Sequence, residues 1–195
     1  MIELTEEICF SEDENMTTEF IAQGIGIVAM VLNIFSYQLK NQKSIIAVQF
    51  FGSVLFCINF LMLGALTGGI MNIVALGRAL AFYNKDKMGN GKNYWIAGFL
   101  VVYLAVYVCT FAVFDKEITV FNLITEFLPV IGMAAMTFGF AMDGGKYTRR
   151  LGLLNSPMWL IYNIVNFAIG GIIAEAFSLV SIIIATIRYD IKGIK

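Results

Sequence analysis

One stretch of this chain occurs twice. Thr18 to Met30 reads TEFIAQGIGIVAM, and Thr125 to Met136 reads TEFLPVIGMAAM. With one gap, Thr-Glu-Phe falls on Thr-Glu-Phe, Ile25-Gly26 on Ile131-Gly132, and Ala29-Met30 on Ala135-Met136. Composition alone does not readily give so many identities inside an apolar run, so the sequence reads as duplicated. Each copy leads into a polar turn with a lysine (Lys40, Lys146), an apolar segment, a Gly-Gly pair and a last apolar segment ending near Tyr83 or Tyr189. The chain is therefore expected to hold two similar three-helix units.

The solvent for those units follows from composition. At 59% hydrophobic and 14% charged residues, the chain is far more apolar than a soluble domain of about 45–50% apolar and 25% charged residues. Its charges clump in the N-terminal segment, the turns and the C-terminus, separated by long runs nearly free of them, as in a polytopic membrane protein. With a net charge of −1 and no basic face, no nucleic-acid partner is expected. Cys9, Cys57 and Cys109 show no metal or redox spacing. Histidine, the commonest general base and metal ligand, is absent. No cofactor is implied. With no nucleophile–base pair or phosphate loop, an enzyme reading has little to stand on.

In order, residues 1–17 form an acidic, mobile extracytoplasmic tail. Residues 18–84 hold the first repeat, with spans expected at Phe20–Leu39, Ser44–Leu63 and Ile70–Tyr83 and a tight turn at Gly64–Gly69. Residues 85–117 hold a polar linker and an unduplicated fourth span, Tyr94–Phe114. Residues 118–189 hold the second repeat, with Ile118–Thr125 along the interface. Its spans are expected at Phe127–Met142, Leu151–Ile169 and Ile172–Ile187, with a Gly170-Gly171 turn, and residues 190–195 form a cytoplasmic tail. In this seven-span reading Lys40, Lys43, Lys85, Lys87, Lys92, Lys146, Arg149, Arg150, Arg188, Lys192 and Lys195 fall on one side. By the positive-inside rule the N-terminus lies outside and the C-terminus in the cytoplasm. A unit of three helices ends on the side opposite its start, so the fourth span acts as an inversion helix that lets both units run the same way. Parallel repeats of this kind are a transporter plan with the site between them near the midplane. The fold class expected is all-α integral membrane, two parallel three-helix bundles joined by an inversion helix (3+1+3).

That plan resembles the SWEET and PQ-loop superfamily, which includes sugar facilitators and nicotinamide riboside carriers. More closely, the segment from Ala22 (AQGIGIVAMVLNIFSYQLKNQKSIIAVQFFGSVLFCINFLMLGALTGGIMNIVALGRALAFYN) resembles the YgjV-type bacterial inner-membrane family, over about Ala22 to Tyr189. The resemblance implies a multi-pass protein of the bacterial inner membrane. The Pro-Gln dipeptide of the PQ-loop group is absent, and helix prolines occur only in the second unit, at Pro129 and Pro157.

Polar side chains inside lipid are costly and mark a cavity or a helix contact. Candidates are Asn59, Asn72, Arg78, Trp159, Tyr162, Asn163, Asn166 and Glu175. Asn72 and Glu175 each sit about one turn from a Gly-Gly corner. In SWEET-like carriers a polar pair at such heights contacts the substrate, and the resemblance carries that role onto Asn72 and Glu175. For the asparagines the plainer role is interhelical hydrogen bonding, worth roughly 1 kcal/mol each. Packing is the plainer role for Trp159, and snorkelling to the interface for Arg78. Glu126 matches Glu19 in the repeat and is expected to cap at the interface. Glu175, a carboxylate with no neighbouring cation in sequence, favours a functional role, either binding a ligand's donors or taking up a proton. A gating ion pair between Arg78 and Glu175 is a further expectation. The function expected is transport of a small solute (sugar-, nucleoside- or vitamin-like) by alternating access, and the rival is a non-transporting receptor or scaffold on the same fold. Partners are the lipid bilayer, that solute and, as an alternative, a second copy of the chain.

Overall fold

The computed structural model describes residues 2–63, 66–113, 116–166 and 169–193, and the side chains of 2–16, 66–68, 90 and 169 lie outside the description. Seven α-helices follow one another: α1 (Ile2–Ser36), α2 (Gln42–Met62), α3 (Leu66–Tyr83), α4 (Lys92–Ala112), α5 (Val120–Ala141), α6 (Gly145–Val165) and α7 (Ile169–Ala185). Two short 3-10 turns, Lys85–Lys87 and Gly89–Gly91, join α3 to α4, and a π-helical turn, Thr186–Ile191, extends α7. Among the described residues there is no strand.

Local chemistry sets several boundaries. The Asn41 side chain accepts from Lys43 N at 3.0 Å and Thr119 Oγ1 accepts from Asn122 N at 3.1 Å, each satisfying an orphan donor at a helix start. Gly144, with φ of 110°, turns the chain into α6 in a backbone region that side chains with a Cβ rarely adopt.

The surface is inverted relative to a soluble protein. Phe20, Tyr94, Val101, Val120 and Phe121 lie exposed, while Ser36, Gln49, Arg78, Glu126, Thr137, Thr148, Arg149 and Ser156 are buried. Five stretches are long and apolar enough to cross a membrane: Thr17–Ser36, Gln42–Met62, Lys92–Ala112, Val120–Ala141 and Gly170–Ile191. An exposed apolar exterior of this extent is stable only against a partner as apolar as itself, and here that partner is lipid.

Helix α5 is the centre and α4 the periphery: 61% of the α5 span is buried, against 6% of the α4 span. α1 packs along α2 and α2 along α3, while α5 packs along α6 and α6 along α7. Across the middle, α1 meets α7 and α3 meets α5, and α4 lies mainly against α5. An apolar cluster of Ile46, Ala79, Phe82, Met136 and Phe140 joins α2, α3 and α5.

Several expected boundaries move. Both Gly-Gly pairs lie inside the first turns of α3 and α7 instead of forming the corners themselves. Close packing accounts for this. A Cβ on Gly69 would lie 3.1 Å from Leu61 Cδ2, and one on Gly171 2.6 Å from the Asn163 side chain. The segment expected along the interface before the second copy is helical from Val120, because Thr119 caps there. Helix α1 runs back to Ile2 through the expected tail, and α6 already begins at Gly145, which puts Lys146, Arg149 and Arg150 on the helix. Helix α6 is not among the long apolar spans, and the apolar part of α3, Gly69–Tyr83, is shorter than the others. The expected ends at Lys195 and around Gly64, Phe114 and Asp115 lie outside the described residues.

Candidate functional site

Two polar constellations lie between the helices. The first is a seam made of Arg78, Glu175 and the polar side chains that hold each of them. Arg78 on α3 is 7% exposed, so its side chain turns inward and does not snorkel. Its Nη1 donates to Met133 O at 3.2 Å and approaches Tyr103 Oη at 3.5 Å. The guanidinium stands 5.1 Å from the centroid of the Phe140 ring. Tyr103 from α4 exchanges a hydrogen bond of 2.9 Å with Thr137 of α5, so three helices fix the position of this one cation. Its partners are all neutral, and Arg78 Nε is buried without a partner.

Opposite, Glu175 on α7 accepts a hydrogen bond from the Ser156 hydroxyl of α6. Its other carboxylate oxygen, Oε2, is buried and has no partner. Tyr37, fully enclosed just past α1, hydrogen bonds with Gln49 of α2. Gln49 Nε2 in turn donates to Ser36 Oγ at 3.0 Å. The expected Arg78–Glu175 ion pair does not form: among the described residues the ion pairs within 4.0 Å are Lys43–Asp86, Lys85–Asp143, Lys116–Glu126 and Arg149–Asp190. Each charge is held by neutral groups of its own neighbours, which keeps the two apart.

The second constellation closes the lysine- and arginine-rich end. Lys85 Nζ donates to Gln42 Oε1 at 2.8 Å and Phe140 O at 3.2 Å, with a further bond to Met142 O. It also pairs with Asp143 at 3.0 Å, and that ammonium holds the Asp143 carboxyl below the usual carboxylate range. Gln42 Nε2 donates to Gly139 O at 2.9 Å and Met142 O at 2.8 Å. A cation and an amide thus sit on the C-terminal carbonyls of α5, where the helix dipole is negative. A second clamp does the same for α1. Arg149 Nη1 donates to Leu39 O at 3.1 Å, and Arg149 grips Asp190 through Nε at 3.0 Å and Nη2 at 2.5 Å. Tyr189 Oη donates to Gln38 O at 2.9 Å, and Gln38 Nε2 to Ser181 O at 2.8 Å. These bonds bring the C-terminal ends of α1, α3, α5 and α7 to one end of the molecule.

The other residues singled out from sequence lie as follows. Asn59 is buried and donates to Ala22 O at 2.6 Å, packed where a Cβ on Gly26 would come within 3.0 Å of it. Asn163 packs on Gly171 at the α6–α7 corner. Asn166 donates to Tyr162 O at 2.8 Å at the exposed end of α6. Trp159 stands edge-on to Tyr162, with centroids 5.8 Å apart, beside Gly132. Asn72 is half-buried on α3. Glu126 is buried, pairs with Lys116 and accepts from the Tyr162 hydroxyl. Of the named set, Arg78 and Glu175 each keep a buried polar atom without a partner. Tyr37, Gln49, Tyr103, Gln42 and Lys85 were not singled out. Gln49 was legible as a lone amide in a charge-free run, whereas nothing local marks the two tyrosines.

Searches of curated proteins and of solved structures return no match. Residues 20–192 match a family described as bacterial inner membrane protein, Imp-YgjV. The match spans nearly the whole chain and agrees with its lipid-facing exterior and all-helical build. The chain belongs to the YgjV family of bacterial inner membrane proteins.

Proposed function

We propose that this protein is a seven-helix transporter of a small solute. Two parallel three-helix units, α1–α3 and α5–α7, are joined by α4 as inversion helix and rock about the central seam, with the N-terminus outside and the C-terminus in the cytoplasm. The observation that carries the reading is the seam itself. Arg78 and Glu175 are held from different units, each with a buried polar atom lacking a partner. Unsatisfied buried polar groups cost about 1–3 kcal/mol each, more when charged. They persist where a ligand or a moving state satisfies them.

The packing supports the two-unit plan. The pairing of α1 with α2 and α2 with α3 recurs as α5 with α6 and α6 with α7, and the contacts between units, α1–α7 and α3–α5, are reciprocal. The SWEET-like likeness of the sequence points the same way. The clamps support a moving part. At the basic end Gln42 of the first unit, with Lys85 of the linker beside it, binds the end of α5, and Arg149 of the second binds the end of α1. Nearer the other end, the hydrogen bonds of Asn59 and Asn166 each stay within one unit. The conformation is thus one bolted at the basic end.

A melting screen of the purified full chain against sugars, nucleosides, amino acids and vitamins, followed by uptake of each stabilising solute into proteoliposomes, tests this. A transporter gives both stabilisation and uptake. Stabilisation without uptake of any solute would replace transport with the receptor reading.

A further inference from the structure

We infer that the lipid-facing side of α4 binds one anionic phospholipid, with its headgroup at Lys87 and Lys92 and an acyl chain in a cleft beside Gly98. The inference stands apart from the transporter reading. Helix α4 is the least covered of the five long apolar spans, with 6% of it buried. Its outer side is notched. Tyr94, Trp95, Gly98, Phe99 and Val102 line a cleft of about 350 Å³, within the size range of small-ligand pockets. A Cβ on Gly98 would meet nothing within 4 Å, so the missing side chain opens the notch and no neighbouring helix fills it. Phe99 is half-buried and packs inward on Phe82 and Tyr103, with ring centroids 6.0 and 6.4 Å away. Trp95 leans on Phe99 at 6.2 Å, while Tyr94 and Trp95 stand 82% and 50% exposed.

Depth and charge select the occupant. Helix α4 has 21 residues, about 31 Å at ~1.5 Å per residue, which matches a hydrocarbon core ~30 Å thick. Lys92, its first residue, therefore lies at headgroup level, and Tyr94 and Trp95 lie in the interfacial belt that such rings favour. From Tyr94 to Val102 the cleft descends roughly 12 Å into the hydrocarbon, along the course of an acyl chain. Lys92, Trp95, Phe99 and Val102 follow the i, i+3, i+7, i+10 spacing of one helix stripe, which puts the cation at the head of the cleft. Lys87 precedes it by one short turn, and among the described residues neither lysine belongs to an ion pair. The linker's own acid, Asp86, is held by Lys43 at 2.5 Å, and the first turn of α4 carries none. Two unpaired ammonium groups above an apolar cleft complement an anionic headgroup with its chain below. A zwitterionic lipid would bring a cation of its own against them. A second copy of the chain fits less well. Two copies inserted the same way pair through a two-fold axis along the membrane normal, which would set lysine against lysine at one height.

The chain has two tryptophans, Trp95 and Trp159, so Trp159→Phe leaves Trp95, in the wall of the cleft, as the sole fluorophore. The full chain with that change is reconstituted in vesicles of phosphatidylcholine with brominated acyl chains, which quench tryptophan on contact. Unbrominated phosphatidylglycerol or unbrominated phosphatidylcholine then replaces the brominated lipid in steps. Phosphatidylglycerol is expected to relieve the quenching at the lower mole fraction, by roughly fivefold per lysine, the scale of one basic residue near an anionic surface. Lys92→Gln should lower that preference about fivefold, and Lys87→Gln together with Lys92→Gln should abolish it. Gly98→Leu, which fills the notch on an open face, should lower it although both lysines remain. Circular dichroism checks that each variant is folded. Equal relief by the two lipids would overturn the inference, as would a preference that survives loss of both lysines. A preference that Gly98→Leu leaves intact would overturn it too, since the cations would then attract lipid without the cleft. Trp95 left unquenched by brominated lipid, in a protein with the mass of a dimer, would overturn it in favour of a second copy.

Discussion

Asp190→Asn is the sharpest test of the clamp at the basic end. The Arg149 and Asp190 side chains are 3% and 5% exposed. The carboxylate takes two bonds from the guanidinium, at 3.0 and 2.5 Å, while the third nitrogen reaches Leu39 O at 3.1 Å. An amide keeps the shape and removes the charge, so Arg149 is left buried with a carbonyl and the Tyr189 ring, 5.3 Å away, as its company. Removing one member of a buried pair costs about 3–5 kcal/mol, against about 0–1 for an exposed pair. The expected loss is therefore near 3 kcal/mol, in a denaturing-detergent titration of the micellar protein followed by circular dichroism. Arg149→Met with Asp190→Leu removes both charges and should recover most of it, since an apolar pair of similar volume is often neutral or better. A single-variant loss below about 1 kcal/mol, or a double variant as damaged as the single, would show that the pair is solvated and holds nothing together.

Three further outcomes are expected. Gly171→Ala places a Cβ 2.6 Å from the Asn163 side chain and should cost about 1–3 kcal/mol. Adding Asn163→Ala should restore the melting temperature, and failure of that rescue would mean the glycine is needed for another reason. Lys85 holds the Asp143 carboxyl below its ordinary value, so this contribution is present above the unfolded value near pH 4 and is lost as pH falls through the depressed folded one. The difference in melting temperature between wild type and Asp143→Asn should thus be constant from pH 5 to 8 and vanish in acid, and a difference that grew in acid would contradict the pairing. A reporter fused after Lys195 should read cytoplasmic and a tag before Glu3 external. A cytoplasmic N-terminus would remove the inversion-helix argument.

Sequence alone determined the solvent, the helical class and the approximate place of each helix, because long charge-free runs leave the backbone no partners but its own. The family was legible from the resemblance carried by the segment beginning at Ala22. Helix ends were legible only where a local signal set them, as at Asn41 and Thr119. At Gly69 and Gly171 the deciding fact is a neighbouring helix close enough to exclude a Cβ. Tertiary structure alone decided which polar residues meet. Asn59 near the end of α2 and Asn163 near the end of α6 carry the same side chain, and each packs against a glycine of a neighbouring helix. Arg78, which by position was as well suited to snorkel, is drawn inward by Met133 O and Tyr103. Lys85, a linker lysine by its surroundings in sequence, caps α5 because α3 ends beside it. The periodicity of a helix states which residues share a face. The rotation of that face and its depth are set by packing between helices far apart in the chain, and both clamps are made there.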